Sequence, residues 1–385
     1  MYYFIPLAPG DDLISRRGSQ VNILVGENGS GKSSLLRELS SYFARNEDRK
    51  VIAIANTIHD KFDYRHRMIK TLKASNGKAL VRKTLKIALQ KMFETDNGDF
   101  QRVARTLEYV NFNPTIGIKV VGLKPDFQNS LRYGNINEKE AEIISLLLMQ
   151  YNKMTDSSEE LIPVNLYRDN FLEFTGAGIL ELLNYESLLK RAKIIRDIEV
   201  YLNRDGRFII ANQGSSGELT LITTFVFLAV HMDVGARILI DEPENSLHPK
   251  WQTEYVRTLY DLVYQYEPRI YIATHSPLIV NSAEIELGSR VSVFKSINGP
   301  FELQQQESTG VEELYQELFD VTTPENRFLS ETMVKKMNQL SSGVISYSEF
   351  QNQINELSDN AYDPKQKSVL GGVLELGSLI IANRN

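Results

Sequence analysis

The sequence contains no cysteine, and it has only one tryptophan and five histidines in 385 residues. Without cysteine there is no disulfide scaffold, cysteine-based zinc finger, iron–sulfur cluster or thiolate nucleophile. Five scattered histidines also argue against a metal site built from histidine alone. Long hydrophobic runs are lacking too. The longest, residues 219–230, is interrupted by threonines and is shorter than the roughly 18 residues of a membrane span.

The N-terminal residues have no basic segment and no small-residue cleavage site, so we expect no signal peptide. A cytoplasmic protein without membrane contact is therefore expected. The hydrophobic fraction of 42% and the charged fraction of 24% are those of an ordinary globular protein rather than a disordered one.

The formal net charge of −6 conceals two oppositely charged segments. Residues 61–105 carry 12 Lys and Arg against 4 Asp and Glu, whereas residues 301–360 carry 3 against 11. An acidic protein with one basic segment is able to hold a polyanion locally. Residues 61–105 are accordingly either a surface for nucleic acid or an acidic partner, or simply a solvated helix face.

Apolar strands alternate with helices in two parts of the chain, residues 1–56 and 205–295. This alternation is typical of an α/β fold with a mostly parallel sheet covered on both faces. Residues 57–204 between them are predicted to form a mainly helical insertion, and residues 296–385 an acidic C-terminal extension. The predicted strands are 2–5, 21–25, 51–55, 116–121, 208–211, 238–240, 270–273 and 291–294. The predicted helices outside the basic segment are 33–44, 141–151, 179–195, 218–231 and 251–266.

Two segments of this outline have a further interpretation. Apolar residues recur at helical spacing over 81–93, with Arg82, Lys83, Lys86 and Lys91 between them, which predicts an amphipathic helix with a basic outer face. The apolar, glycine-interrupted residues 369–382 are expected either to dock on the core or to contact a partner.

Residues 26–33, GENGSGKS, fit the pattern G-x-x-x-x-G-K-[ST] and lie between a predicted buried strand and a predicted helix. Gly29 and Gly31 allow the backbone to curl, so that successive N–H groups and the helix N-terminus point at a polyphosphate. Lys32 has the length to reach the β- and γ-phosphates, and the Ser33 hydroxyl is a ligand for Mg²⁺. The sequence therefore predicts a polyphosphate-binding loop.

An acidic pair follows a second apolar strand in RILIDEPE, residues 237–244. The carboxyl ends of the strands are where an open α/β sheet binds its ligand. Asp241 is suited to hold Mg²⁺ through its water shell, and Glu242 to polarise a water molecule that attacks the γ-phosphate. Taken alone, the pair before Pro243 also fits an ordinary helix cap.

Two further segments carry polar residues at places where phosphate is bound. His275, in ATHSPLIV, follows a predicted strand and is able to hydrogen-bond a γ-phosphate; alone, it also fits a structural histidine in a turn. Ser215, Ser216 and Gly217 precede a buried helix and form a second anion-binding helix N-terminus, or an ordinary serine cap.

The order and spacing of these segments resemble those of ABC-type ATPase heads, since Ser215 lies 26 residues before Asp241 and His275 lies 34 after it. The sequence DEPENSLHPKWQ followed by ATHSPLIV resembles the soluble branch, which includes SMC-like and OLD-like ATPases and ATP-binding proteins of the AAA_21 type. The resemblance covers about residues 1–56 and 205–295. It implies an ABC-ATPase head with a mixed, largely parallel sheet, a helical insertion and a small C-terminal helical extension.

The resemblance also implies roles for individual residues. Asp241 and Ser33 would hold Mg²⁺, Glu242 would be the general base, and His275 would sense the γ-phosphate. The ATP phosphates would be bound by Gly26, Asn28, Gly29, Ser30, Gly31, Lys32, Ser33 and Ser34. Ser215, Ser216 and Gly217 would contact ATP on a partner subunit, with Ser246 in the loop that crosses the same interface.

The chain departs from the family pattern at three places. The usual signature L-S-G-G-Q is replaced by residues 214–218, GSSGE, a variant known in the soluble branch. No Q-loop glutamine and no adenine-stacking aromatic residue is identifiable from the sequence.

Head-to-tail pairing of heads around ATP, in a dimer or higher oligomer, is implied by a signature that works between subunits. Long heptads, as in an SMC rod, are missing, and so is the Asp-x-Asp of a C-terminal TOPRIM domain. The remaining resemblance is to ATPase subunits of two-component antiphage systems: the Septu type, which pairs with an HNH nuclease, and the PARIS type, which holds a TOPRIM effector. The alternative is a DNA-binding repair or maintenance ATPase with a basic clamp at residues 61–105. A binding module with an inactive site is disfavoured, because Lys32, Asp241, Glu242 and His275 are all present.

Overall fold

The computed structural model describes residues 20–47, 49–57, 62, 66–73, 79–94, 98–133, 136–155, 161–167, 175–296, 300–304, 327–359 and 364–382. The strands are β1 (Val21–Val25), β2 (Val51–Ala55), β3 (Ile69–Lys73), β4 (Asn113–Val121), β5 (Ile162–Asn165), β6 (Asp197–Arg204), β7 (Arg207–Ile210), β8 (Arg237–Asp241), β9 (Arg269–Ala273), β10 (Val291–Ser296) and β11 (Phe301–Leu303). The helices are α1 (Lys32–Asn46), α2 (Ala79–Glu94), α3 (Gly98–Tyr109), α4 (Phe127–Tyr133), α5 (Glu138–Met154), α6 (Thr175–Leu182), α7 (Glu186–Arg191), α8 (Ser216–His231), α9 (Pro249–Val263), α10 (Pro277–Leu287), α11 (Arg327–Ser342), α12 (Tyr347–Asp359) and α13 (Pro364–Ala382).

Within these residues the main sheet has seven strands in the order β11-β10-β1-β9-β8-β2-β3. The strand β1 pairs in parallel with β10, and β2 pairs in parallel with both β3 and β8, whereas β11 runs antiparallel to β10. Every residue of β1 and β2 is buried. Their continuous apolar sequences, VNILV and VIAIA, are what a strand covered on both faces requires. The predicted α/β fold with a mainly parallel sheet is confirmed.

The chain forms two compact units. One consists of Met1–Leu35, Gln252–Arg257 and Ile272–Asn385, and the other of Leu36–Trp251 and Thr258–Tyr271. The phosphate-binding loop and His275 belong to the first unit, whereas the acidic pair and the signature segment (residues 214–218) belong to the second.

A second sheet, in the order β5-β4-β6-β7, is antiparallel throughout. Burial alternates along β5, where every second side chain is buried, and along most of β6. Three of these strands and β3 fall in residues 57–204, for which mainly helices were predicted. The predicted helix 179–195 is interrupted once and ends four residues early. Helix α6 ends at Leu182 and α7 at Arg191, and residues 183–185 between them form a 3₁₀ turn.

The basic outer face predicted for helix α2 is wrong at Lys86. This lysine is only 9% exposed, and its Nζ donates to Glu186 Oε1 at 2.7 Å and to Asp197 Oδ1 at 3.4 Å. Arg82 donates to Asp197 Oδ2 at 2.7 Å, whereas Lys83 is exposed. Apolar neighbours bury the stem of a lysine without difficulty, and two carboxylates from α7 and β6 then compensate its charge.

The three C-terminal helices pack on one another around a small apolar cluster of their own. Its buried members are Met333, Leu340, Phe350, Ile354, Leu357, Leu370 and Val373. Residues 369–382, for which either docking or a partner contact was expected, belong to α13 and pack against α11 and α12. The predicted strand 2–5 lies outside the described residues. None of the described helices has the length and apolarity of a membrane span.

Candidate functional site

The phosphate-binding loop, residues 26–34, leads from β1 directly into α1. Its glycines have positive φ angles of +149° at Gly26, +85° at Gly29 and +96° at Gly31. L side chains rarely adopt these angles, so the pattern of glycines follows from the backbone shape. Gly26 is also confined in space, because a Cβ built there would lie 2.9 Å from Ser30 Oγ and 3.2 Å from Ser296 Cβ.

The side chain of Lys32 lies inside this loop and hydrogen-bonds to its backbone. The residue is 5% exposed, and its Nζ donates to the Gly26 carbonyl at 2.7 Å and to the Glu27 carbonyl at 3.0 Å. Its ammonium group therefore lies inside the loop, in contact with these two carbonyl oxygens. A bound anion would be a stronger partner for it than these carbonyls. Ser33 and Ser34, predicted as ligands of Mg²⁺ and phosphate, lie in the first turn of α1.

His275 follows strand β9 in the same unit as the loop. Its neighbour Thr274 donates a backbone N–H to the Leu24 carbonyl at 3.1 Å, two residues before Gly26. On the other side, Ser276 caps α10 by accepting from the Ile279 N–H, and its hydroxyl donates to Gln252 Oε1 at 2.6 Å. The structure thus anchors the two residues next to His275, one to the strand that enters the phosphate-binding loop.

In the second unit, the acidic pair lies at the carboxyl end of β8. Asp241 is 1% exposed. Glu242 has a φ of +50°, which is uncommon for a residue other than glycine. Its Oε2 accepts a hydrogen bond from Asn245 Nδ2 at 2.8 Å, which orients the carboxylate.

Asn56 is a neighbour of the acidic pair that the sequence analysis missed. It follows β2, whose last residue Ala55 is in register with Asp241, and its N–H donates to the Asp241 carbonyl at 3.2 Å. Its Nδ2 is buried and has no hydrogen-bond partner within the described part of the chain. A polar residue directly after the buried run VIAIA was the available signal, but only the sheet order places β2 beside β8.

The signature segment forms the start of α8. Ser215 is the N-cap residue, and Ser215 and Glu218 form a capping box in which each side chain accepts from the other's backbone N–H. Ser215 and Ser216 are exposed at this helix N-terminus. This geometry is compatible with both interpretations of the segment, as an ordinary serine cap or as an anion-binding helix N-terminus.

Gly217 is buried and has a role within its own chain. A Cβ built on it would lie 2.6 Å from the Ser246 carbonyl oxygen and 2.9 Å from Trp251 Cζ3. Ser246 has a φ of +68°, and its side chain is exposed. Glycine at position 217 is therefore required for close packing of α8 against the loop that contains Ser246, whatever ligand the segment binds.

Comparison with known proteins gives one family match. The AAA_21 model, described as "AAA domain, putative AbiEii toxin, Type IV TA system", matches residues 37–281, which is well over half of the chain. The match begins after the phosphate-binding loop, so the family assignment does not depend on the loop sequence. No curated protein sequence matches the chain.

Solved structures give weaker likenesses. An ABC transporter assigned to the metal-chelate type, in an inward-facing conformation, is 13% identical, with 80% of each chain covered and a TM-score of 0.31. An SMC head domain of Pyrococcus furiosus, with an extended coiled coil and bound to the C-terminal domain of ScpA, is 11% identical. That match covers 79% of this chain and 93% of the SMC chain, with a TM-score of 0.29. Both TM-scores lie below 0.5, and neither likeness bears on the site.

Proposed function

The chain belongs to the AAA_21 family, and we propose that it is an ATP-binding and ATP-hydrolysing switch subunit whose heads pair around ATP and Mg²⁺. A separate effector protein would be controlled by this switch. The observation that carries the proposal is the phosphate-binding loop. Three glycines with positive φ curl the backbone, and the loop surrounds a buried lysine whose Nζ donates to the carbonyls of Gly26 and Glu27.

The residues fit an ATP–Mg²⁺ complex. Lys32 would exchange its carbonyl partners for β- and γ-phosphate oxygens, and the N-terminus of α1 would add its partial positive charge. The Ser33 hydroxyl and the Asp241 carboxylate are oxygen ligands of the kind that Mg²⁺ prefers, and in the proposed complex they would hold the ion together with water. Such a site needs no dense metal cluster, and the described residues contain no group of three or more Asp, Glu or His side chains that would form one. When bound, Mg²⁺ would neutralise phosphate charge.

Glu242 is the proposed general base. Asn245 holds one of its oxygens, so the carboxylate has a defined direction in which to accept a proton from water. His275 is the proposed sensor of the γ-phosphate. Ser215, Ser216 and the N–H groups at the start of α8 are proposed to bind the γ-phosphate of ATP held by a second copy of the chain. Gly217 allows the close packing that presents them.

The proposed effector is a nuclease encoded beside this chain, of the HNH or TOPRIM type, in bacterial antiphage defence. This part rests on the sequence resemblance to Septu-type and PARIS-type ATPases. The family description, which names a toxin and a type IV toxin–antitoxin system, is consistent with a chain that works with a separate partner. ATP-bound heads would hold the effector inactive until a trigger releases it.

Two substitutions test the ATP switch. We expect Lys32→Ala to weaken ATP binding by roughly 100-fold in isothermal titration, about 2.7 kcal/mol, since the buried cation is the main phosphate partner. Arg37→Ala, an exposed position on the same helix, is the matched control and should bind ATP normally. Glu242→Gln should bind ATP without hydrolysing it, and should sediment as a dimer or larger species only when ATP is present. A Glu242→Gln protein that stays as monomeric with ATP as without it contradicts the paired-head model.

The effector is tested in the native genetic setting. A tagged Glu242→Gln chain should co-purify with the product of an adjacent reading frame, and ATP removal should release nuclease activity. Lys32→Ala is the control that should not retain the partner. If no neighbouring gene product associates under either condition, the two-component assignment is wrong while the ATPase assignment stands.

The alternative DNA clamp at residues 61–105 loses two of its cations, because Arg82 and Lys86 are already paired with Asp197 and Glu186. Its remaining test uses cations that are exposed, Lys83→Glu and Arg105→Glu. Salt-dependent DNA binding that both changes weaken would favour the clamp. The clamp would be excluded if the unaltered protein does not bind DNA, or if neither substitution changes its affinity for DNA.

A further inference from the structure

The start of the signature helix α8 is tied to the antiparallel sheet by one carboxylate. Glu218 Oε2 accepts from the Ser215 N–H at 2.8 Å, and Glu218 Oε1 accepts from Arg204 Nη2 at 2.6 Å. The Glu218 side chain is only 13% exposed. Both of its oxygens therefore have donors, one from the signature segment and one from the end of β6.

Arg204 is itself held in place by a second contact. Its guanidinium carbon lies 4.1 Å from the centroid of the Phe112 ring, next to the start of β4. A cation above an aromatic face within about 6 Å is attracted by the ring quadrupole. Because Arg204 ends β6 and contacts Phe112 just before β4, we expect its position to follow that of the sheet rather than that of α8.

This arrangement accounts for the departure of residue 218 from the usual signature glutamine. A glutamine side chain has one acceptor oxygen and a donating NH₂ group. It could satisfy the Ser215 N–H, but its NH₂ group would then face the donors of Arg204. A carboxylate accepts both hydrogen bonds, so Glu218 and Arg204 are chemically matched to each other.

We propose that Arg204 is a positioning residue for ATP hydrolysis, acting through Glu218 on Ser215. The inference rests on the proposed function, in which Ser215 contacts ATP on the partner subunit. Without Arg204, the Glu218 carboxylate loses its fixed orientation and the capping box that orients Ser215 loosens. The same link connects the antiparallel sheet to the signature segment.

The test compares Arg204→Met with Arg207→Met. Methionine keeps the apolar stem beside Phe112 but removes the charge, and Arg207 lies directly opposite Arg204 in the β6–β7 hairpin and is exposed. We expect Arg204→Met to lower kcat for ATP about tenfold, the scale of one charge-assisted hydrogen bond. Its affinity for ATP should stay within about twofold of the unaltered chain, since the phosphate-binding loop is intact. Arg207→Met should change neither quantity.

Two further measurements separate positioning from a general loss of stability. Hydrogen exchange of the Ser215 amide, measured without ATP, should accelerate in Arg204→Met and not in Arg207→Met. In the presence of Arg204, Glu218→Gln should lower kcat, whereas the double change Arg204→Met with Glu218→Gln should recover part of it, because no cation then faces the glutamine NH₂. Arg204→Lys, which keeps a donor and is the least disruptive change, should retain most of kcat even if Arg204→Met folds poorly.

Different results would contradict the proposed ATPase function and the positioning role of Arg204. If the unaltered chain shows no Lys32-dependent ATP binding, the proposed function is wrong and this inference is overturned with it. If the unaltered chain hydrolyses ATP but Arg204→Met matches Arg207→Met in kcat and in Ser215 exchange, the ATPase stands and the positioning role of Arg204 is wrong.

Discussion

Lys86 offers a quantitative test of the charge cluster in the insertion, which comprises Arg82, Lys86, Glu186, Lys190 and Asp197. The change is Lys86→Met, which keeps the length and apolar character of the buried stem but removes the charge. The side chain of Lys86 is 11% exposed, and those of Glu186 and Asp197 are 14% and 18% exposed. A single substitution therefore leaves two largely buried carboxylates with one cation fewer.

The size of the effect follows from the contacts. Hydrogen bonds to charged groups contribute about 1.5–3 kcal/mol each. Lys86 makes a short one to Glu186 at 2.7 Å and a weaker one to Asp197 at 3.4 Å. Lys190 remains 3.1 Å from Asp197 and 3.5 Å from Glu186 and offsets part of the loss. We expect the free energy of unfolding to fall by about 2 kcal/mol, below the roughly 3–5 kcal/mol of a fully buried pair.

The single tryptophan makes the assay specific, because Trp251 lies in the same unit as the cluster. Urea unfolding followed by its fluorescence should show a midpoint lowered by about 0.7 M, for a slope of about 3 kcal/mol per molar urea. The control is Lys83→Met, one turn away and exposed, which should stay within about 0.5 kcal/mol of the unaltered protein. Equal stability of Lys86→Met and Lys83→Met would refute the reasoning that the cluster stabilises the unit.

The same cluster makes Lys86→Glu unsuitable as a test of the alternative DNA clamp at residues 61–105. That change would place a third carboxylate beside Glu186 and Asp197, so any loss of DNA binding would follow from unfolding of the insertion. Exposed cations such as Lys83 are the ones that test a nucleic-acid surface.

Two more perturbations follow from single sites. Burial lowers the pKa of His231 to about 4, against a hydrogen bond from its ring to the Phe227 carbonyl that raises it, and the nearby Lys91 lowers it further. The folded state holds the ring neutral, so stability is highest above the unfolded pKa of about 6.5 and falls as the pH drops toward 4, where the unfolded state binds the proton first. The two pKa values give a loss of about 2 kcal/mol between pH 6.5 and 4.5, and partial exposure of the ring reduces it to roughly 1 kcal/mol. Thermal melting of His231→Gln should lack this loss; an identical pH profile in both proteins would contradict the assignment. Gly217→Ala brings a Cβ within 2.6 Å of the Ser246 carbonyl oxygen, so it should shift the Trp251 fluorescence emission and lower ATPase activity. The control is Gly371→Ala, whose Cβ meets nothing within 4 Å. It should leave the emission and the activity unchanged, and alanine in place of glycine should stabilise α13 by about 0.5–1 kcal/mol. Equal effects of the two glycine substitutions would show that the close packing at Gly217 is unimportant.

Local patterns predicted the elements that position the site. The runs VNILV and VIAIA are strands because only a two-sided apolar environment suits them, and the strands were found at residues 21–25 and 51–55 as expected. The glycines of the phosphate-binding loop predicted its curled backbone, since their positive φ angles are costly for other residues. These features depend on near neighbours in the chain, which the sequence displays directly.

The antiparallel sheet was predicted only in part, for the opposite reason: the strands predicted at residues 116–121 and 208–211 overlap β4 and β7, but β5, β6 and the strand pairing were missed. The strand β4 pairs with β6, about eighty residues later, and nothing in either segment alone names its partner. Strand β3 is amphipathic and short, and it is stabilised by pairing with β2 rather than by its own composition. Predicted helix 179–195 ended early because residues after Arg191 turn into β6.

The sequence by itself determined the chemical groups of this protein: the loop lysine, the acidic pair, the histidine after β9, the serine-capped signature helix and the absence of cysteine. Tertiary structure decided what each group meets. It turned Lys86 from a surface cation into part of a buried ion-pair cluster, gave Gly217 a packing role, placed Asn56 beside Asp241, and joined Arg204 to Glu218. The physical reason is that residue type and spacing fix local conformation and available chemistry, whereas burial and charge pairing depend on segments that are distant in the chain and meet only after folding.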